Sequence, residues 1–153
     1  MIEYRFIADV HLGKLARLLR LLGFDTVYKN NFTKEELVTI SSEEKRTLLS
    51  RDSSIAKVGL QQYLIVTTED PLQQLKQVVE DLRLTNHFQP FSRCIACNGN
   101  LEMVPKESIL PLLGKNTKEY YHEFWQCNNC KRIYWKGSHY ERMLKTMEEI
   151  QQA

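Results

Sequence analysis

Two Cys-x-x-Cys pairs, Cys94 with Cys97 and Cys127 with Cys130, hold all 4 cysteines of the chain within its last two fifths. Each pair sits on one tight turn that points both sulfurs at a common centre, and four such thiolates make a tetrahedral zinc shell. Asn98-Gly99-Asn100 supplies turn residues after the first pair, and Lys131 with an apolar run follows the second, as in a ribbon hairpin. The first twenty residues are broken by Glu3, Arg5, Asp9, Lys14, Arg17 and Arg20, so neither a signal-peptide core nor a membrane span runs through them. The expected compartment is therefore the cytoplasm. There, thiols at this spacing hold metal, with two disulfides as the rival arrangement. A zinc closed by four sulfurs has no open position for water, so its expected role is structural.

Ahead of the cysteines the chain reads as an α/β domain. Apolar runs at Tyr4 to Val10, Phe24 to Tyr28, Thr47 to Ser50 and Tyr63 to Thr67 predict strands. Between them Leu12, Leu15, Ala16, Leu19 and Leu22 recur at helical spacing until Gly23, and Lys34 to Glu44 predicts a second helix. Asp70 as N-cap and Pro71 at the first position open a third, with Leu72, Leu75, Val78, Val79 and Leu82 as its stripe. Strands alternating with such helices predict a parallel sheet covered on both faces. The periodicity lapses near residue 90, which divides the chain into 1–90 and 91–153. In the second part, aromatic strands at Phe124 to Gln126 and Arg132 to Trp135 precede a closing helix, with Ser138 and Glu141 as a capping box. The charge balance, 21 basic residues against 19 acidic, gives +2, so a nucleic-acid site here must be local rather than a property of bulk charge.

Asp9 ends the first strand and Asp52 follows the third. If those strands are neighbours, their carboxylates meet at the carboxyl edge of the sheet, where a magnesium or manganese ion bridging a phosphate would be held. The alternative is that each caps the helix after it. Lys14, Arg17 and Arg20 lie opposite the apolar stripe of the first helix, in reach of phosphates. Leu18 and Leu21 intrude among them, so that helix is expected to meet another surface, and the ribbon is expected to supply it.

The sequence Asp9-x-x-Leu12-Gly13-x-Leu15-Ala16-Arg17-x-Leu19-Arg20-x-x-Gly23-x-Asp25, then Leu48-Leu49-Ser50-Arg51-Asp52, Arg93-Cys94-x-x-Cys97-Asn98, and Phe124-x-x-Cys127-x-x-Cys130 with Tyr134-Trp135-x-Gly137-Ser138-His139, resembles the Mut-seven carboxy-terminal RNase family. Those proteins join a PIN-like domain to a zinc ribbon, and the resemblance covers nearly the whole chain. It implies a metal-dependent endoribonuclease in which Asp9 and Asp52 bind a divalent cation, Ser50 standing in the threonine place of a Thr-Arg-Asp motif. Where the family has an aspartate opening the second helix this chain has Lys34, and Glu36 is the candidate to take over as third catalytic acid. The expected RNA contacts are Lys14, Arg17 and Arg51 on phosphates, with Trp135 and His139 from the ribbon, aromatic and basic groups suited to single strands. Trp125 and Tyr134 could stack on bases as well, but packing the ribbon against the first domain is the reading preferred for these two. A catalytically inactive RNA-binding or ribosome-associated module is the alternative.

Overall fold

The computed structural model describes residues 4–152. Strands β1 (Arg5–Ala8), β2 (Asp25–Val27), β3 (Thr47–Ser50) and β4 (Tyr63–Ile65) form one parallel sheet in the order β2-β1-β3-β4. Three helices connect and cover it: α1 (Gly13–Leu21), α2 (Lys34–Glu43) and α3 (Pro71–Asp81). The side-chain period of two sends Phe6, Ala8 and Leu49 into a core with α1 and α3, and Ile7 and Leu48 into a second core with Leu37 of α2. Burial on both faces is why the central strands read as unbroken apolar runs. Asp70 caps α3 by accepting from the Gln73 amide at 3.0 Å, with Pro71 at the first position, as expected. Gly23 ends α1 at φ +97, and any Cβ there would collide with the Gln89 carbonyl. The Gln89 amide in turn donates to the Leu22 carbonyl at 2.7 Å, so the segment leading to the cysteines is tied to the end of α1.

The second half builds an antiparallel sheet from β5 (Leu101–Val104), β6 (Phe124–Cys127) and β7 (Ile133–Tyr134), with α4 (Lys115–Tyr120) between β5 and β6 and α5 (Ser138–Gln152) closing the described chain. Ser138 is the first residue of α5, and the Glu141 amide donates to the Gly137 carbonyl at 3.2 Å. The expected Ser138–Glu141 capping box is thus not formed: the cap is Gly137, which has no side chain to accept, and Ser138 lies inside the helix. Helix α5 leaves the ribbon and returns to the first domain, where Met147 and Ile150 are buried in the core of α1 and α3 and Leu18 packs against the same cluster. The surface that meets α1 is therefore the closing helix. No helix among the described residues is long and apolar enough to cross a membrane.

The ribbon also seals the β2 edge of the first sheet. Asn98, at φ +71 in the turn after the first cysteine pair, accepts from the Thr26 amide at 2.9 Å and donates to Asp25 Oδ1 at 2.7 Å. Arg20 donates from Nε to the Thr26 carbonyl and from Nη1 to the Ile95 carbonyl, both at 2.9 Å. It is 6% exposed, so this arginine is withdrawn from the set expected to face phosphate: the edge strand and the cysteine turn use its fork instead. Asp25 also takes Arg46 Nη1 at 2.8 Å, with Arg5 and Arg93 at 3.7 and 3.8 Å.

Burial pushes the Asp25 carboxyl up, but the hydrogen bonds from Arg46 and Asn98 and the charges of Arg46 and Arg93 outweigh it and hold the group below its usual range. A depressed carboxylate contributes stability that is complete above its unfolded value and disappears as pH falls through the folded one. Asp25→Asn should therefore cost about 2–4 kcal/mol at neutral pH, by breaking a largely buried charge network. The difference from the unsubstituted protein should narrow as pH drops below about 4. Urea unfolding of both proteins across that range measures it.

Candidate functional site

From β1 the chain crosses to β2 on one side and then returns past β1 to β3 on the other, so the carboxyl ends of β1 and β3 flank a topological switch point. Ala8 pairs with Leu49 across these two strands. The residues that follow, Asp9 and the Ser50-Arg51-Asp52 segment, thus meet at one edge. Asp9 is 6% exposed, and its orientation is fixed from three sides. Oδ1 accepts from the His11 amide at 2.8 Å, while Oδ2 accepts from the Ser50 hydroxyl at 2.7 Å and the Arg51 amide at 3.0 Å. The same Ser50 hydroxyl accepts from the Asp52 amide at 3.0 Å, so one side chain positions both acids. A serine in this place does what a threonine hydroxyl would.

Asp52 is half exposed. It caps the short 3-10 helix Ser53–Lys57, accepting from the Ser54 amide at 2.9 Å through Oδ1, while Oδ2 lies 3.8 Å from the ammonium of Lys34. Hydrogen bonding from Ser54, with the Lys34 charge behind it, holds the Asp52 carboxyl below its usual range. Lys34 also donates to the Ser54 hydroxyl at 2.6 Å. Capping thus engages Oδ1 of Asp52 and leaves Oδ2 beside Lys34.

Glu36 has a different duty. Its carboxylate accepts from the Thr33 amide at 3.0 Å, and its own amide donates to the Thr33 hydroxyl at 3.1 Å, a capping box that starts α2. Among the described residues no group of three or more acids, histidines or cysteines includes Asp9, Asp52 or Glu36. The spacing Thr33-x-x-Glu36 carried the capping signal. Lys14 and Arg17 are exposed on the outer face of α1, and Arg51 lies 3.7 Å from Glu69. His11, exposed two residues beyond Asp9, stands at the same edge and was not singled out from the sequence; the Asp-x-His spacing was its only mark.

Trp135 and His139 meet elsewhere. With Arg93, Tyr134, Tyr140 and Leu21 they line a cavity of about 60 Å³ beside the end of α1, whereas Asp9 precedes its start. The intervening helix of 9 residues is about 13 Å long. Trp135 packs on Phe124 and Tyr121 at 6.2 and 6.4 Å, and Trp125 stacks on Phe91 at 4.3 Å. The Tyr134 hydroxyl sits 2.9 Å from Cys94 Sγ. For Trp125 and Tyr134 the packing role is the one realised.

The four sulfurs of Cys94, Cys97, Cys127 and Cys130 lie within 4.8 Å of one another. Two of the separations, Cys94 to Cys130 at 3.6 Å and Cys97 to Cys127 at 3.4 Å, are near the edge of about 3.8 Å that a tetrahedron with ~2.3 Å zinc–sulfur bonds would have. The residue after each pair, Asn98 and Lys131, turns through positive φ, and a Cβ at Gly99 would stand 2.7 Å from Cys127 Sγ. Burial pushes the Cys94 thiol up to about 11. Desolvation also opposes ionisation of Cys97, yet hydrogen bonds from Asn129, Gly99 and the neighbouring cysteines bring it down to about 6. The donor set is that of a closed structural zinc site, and an incoming ion must displace protons from it.

The family model of the Mut7-C RNAse domain matches residues 4–147, a span that includes both sheets and both acids. Searches of curated proteins and of solved structures returned no significant match.

One zinc per chain is expected by elemental analysis of protein purified without chelator. Cys97→Ser should lower that stoichiometry and loosen the Asn98 turn, which adjoins it. Because binding releases protons, zinc should be lost progressively on acidification, which a chromophoric chelator follows directly.

Proposed function

Since the chain belongs to the Mut7-C RNAse domain family and its function is of ribonuclease type, we propose that it hydrolyses RNA phosphodiesters at the Asp9–Asp52 edge with the help of a magnesium or manganese ion. The observation that carries this reading is the placing of Asp9 and Asp52 at the ends of adjacent parallel strands, where the Ser50 hydroxyl donates to the Asp9 carboxylate and accepts from the Asp52 amide. Hard divalent ions take one or two carboxylates and complete their shell with water and substrate phosphate, and these two acids offer such oxygens. Asp9 and Asp52 would hold the ion, which when bound lowers the pKa of a water and neutralises charge developing on phosphate.

The remaining work falls to this chain's own groups. Ser50 and the His11 and Arg51 amides keep Asp9 from rotating, so the carboxylate meets the reacting phosphate already oriented. Exposed Lys14 and Arg17, one turn apart on α1, carry positive charge from the acidic edge toward the Trp135–His139 cavity. A single strand laid along α1 would place its phosphates on these cations and an unstacked base by Trp135, His139 and Arg93. Arg51 adds a further cation once RNA competes with Glu69. A strand bound in this way would be cut internally.

The second reading, an RNA-binding module without catalysis, is favoured by the Lys34 ammonium beside Asp52. One assay separates the two. Internally labelled single-stranded RNA should be cut in the presence of manganese or magnesium and left intact with EDTA. The Asp9→Asn/Asp52→Asn double variant should be slower by about a hundredfold or more, the scale of lost charge stabilisation at a reacting centre. RNA that binds the unsubstituted protein but is never cut supports the second reading. Glu36→Gln, which preserves the capping box, should leave the cleavage rate unchanged.

A further inference from the structure

Lys34 is the first residue of α2, and the capping box of Thr33 and Glu36 fixes where that helix begins. The lysine stem therefore starts from a determined point, and its ammonium reaches across to the segment after β3. There it donates to the Ser54 hydroxyl at 2.6 Å and lies 3.8 Å from Asp52 Oδ2. The other oxygen, Oδ1, is engaged by the Ser54 amide. Lys34 thus faces the one carboxylate oxygen of Asp52 that capping leaves to the solvent side. Arg51, the cation that adjoins Asp52 in the chain, points to Glu69 instead, and His11 supplies its amide rather than its ring to Asp9. Both partners of the Lys34–Asp52 pair are about half exposed, at 46% and 55% of their side-chain surface, so the contact can open without unpacking a core.

A divalent ion on Asp52 and the ammonium of Lys34 compete for the same oxygen and repel each other at this range. We propose that Lys34 is an exchangeable counter-ion of the site: it holds Asp52 in the RNA-free protein and passes to an RNA phosphate when metal and RNA bind together. The metal ion and the phosphodiester then bind with positive coupling, each relieving what the other would have to displace. This rests on the metal site proposed above. It adds that the site discriminates between metal alone and metal with RNA, and it names the side chain responsible. The exchange makes and breaks ion pairs only.

The test is manganese binding, read from the electron paramagnetic resonance signal of the unbound ion, on the full chain with its zinc content verified. Titrations are run with and without a 2′-O-methyl oligoribonucleotide, which supplies phosphates and resists cleavage. Lys34→Gln should bind manganese roughly 5- to 30-fold more tightly than the unsubstituted protein when no oligonucleotide is present, the range set by an exposed ion pair and a unit charge opposing a divalent one. The oligonucleotide should tighten manganese binding in the unsubstituted protein and in Lys34→Arg, and much less in Lys34→Gln. Equal manganese affinities in Lys34→Gln and the unsubstituted protein, or undiminished coupling in Lys34→Gln, would overturn the proposal. Asp52→Asn separates its failure from that of the site itself. If manganese binds both proteins equally and is lost in Asp52→Asn, the metal site stands and the role of Lys34 falls. If neither protein binds manganese, both fall. Lys34→Gln is a solvent-facing change at a helix start, and its circular dichroism melt verifies that the fold is kept.

Discussion

The outward-facing backbone of β2 is the place on which the rest of this molecule turns. An edge strand presents amide and carbonyl groups that no neighbour pairs, and leaving them dry or open is costly. Here Thr26 has its amide bonded to Asn98 and its carbonyl to Arg20, and the residue is wholly buried. Asn98 reaches that position because it occupies the left-handed turn after Cys94 and Cys97, and the turn keeps its shape because the four sulfurs converge. The thiol cluster and the parallel sheet are thus one structure. Asp25 collects the charges gathered there and returns them to the sheet through Arg46, which also binds the Phe6 carbonyl in the central strand.

From this anchored end the strands run toward the acids. Asp25 lies beside Arg5 at the start of β1, and Asp9 lies just past the end of that strand, so clasp and acidic edge stand at opposite ends of the same sheet. The clasp does not touch the acids, but it fixes the frame against which Ser50 sets Asp9 and Asp52. Short strands of three or four residues bring little cohesion of their own, and helices on both faces supply the remainder. Loops at the carboxyl ends are left to carry polar groups, as in other open parallel sheets.

Much of this was legible before any coordinates. The apolar runs gave parallel strands because strands buried on both faces have no polar side to interrupt them, and Asp9 and Asp52 could be paired only on the condition that the first and third strands are neighbours, which the strand order meets. The cysteine spacing carried the tetrahedral cluster. Part of what escaped was decided by contacts distant in sequence. Arg20 reads as a surface cation until Ile95 and Thr26 are seen to compete for its fork. Glu36 reads as a spare acid unless the local Thr33-x-x-Glu36 spacing is weighed against the search for a third ligand. Strand β5 has Met103 exposed and no alternation to announce it, and α4 buries none of its residues, so neither leaves a periodic signal.

Helix α5 carries a consequence for the order in which the molecule is made. Met147 and Ile150 fill space against α1 and α3, elements that belong to the first 90 residues. During synthesis those elements emerge early, yet the apolar groove between them stays open until α5 has been added. The nascent chain must hold that groove unoccupied while the ribbon and its cysteines are made, before α5 can fill it. Such late, long-range closure slows folding relative to a chain of local contacts and leaves apolar surface exposed meanwhile. The core built on the first 90 residues is thus completed by α5, a segment that lies beyond the ribbon in the chain.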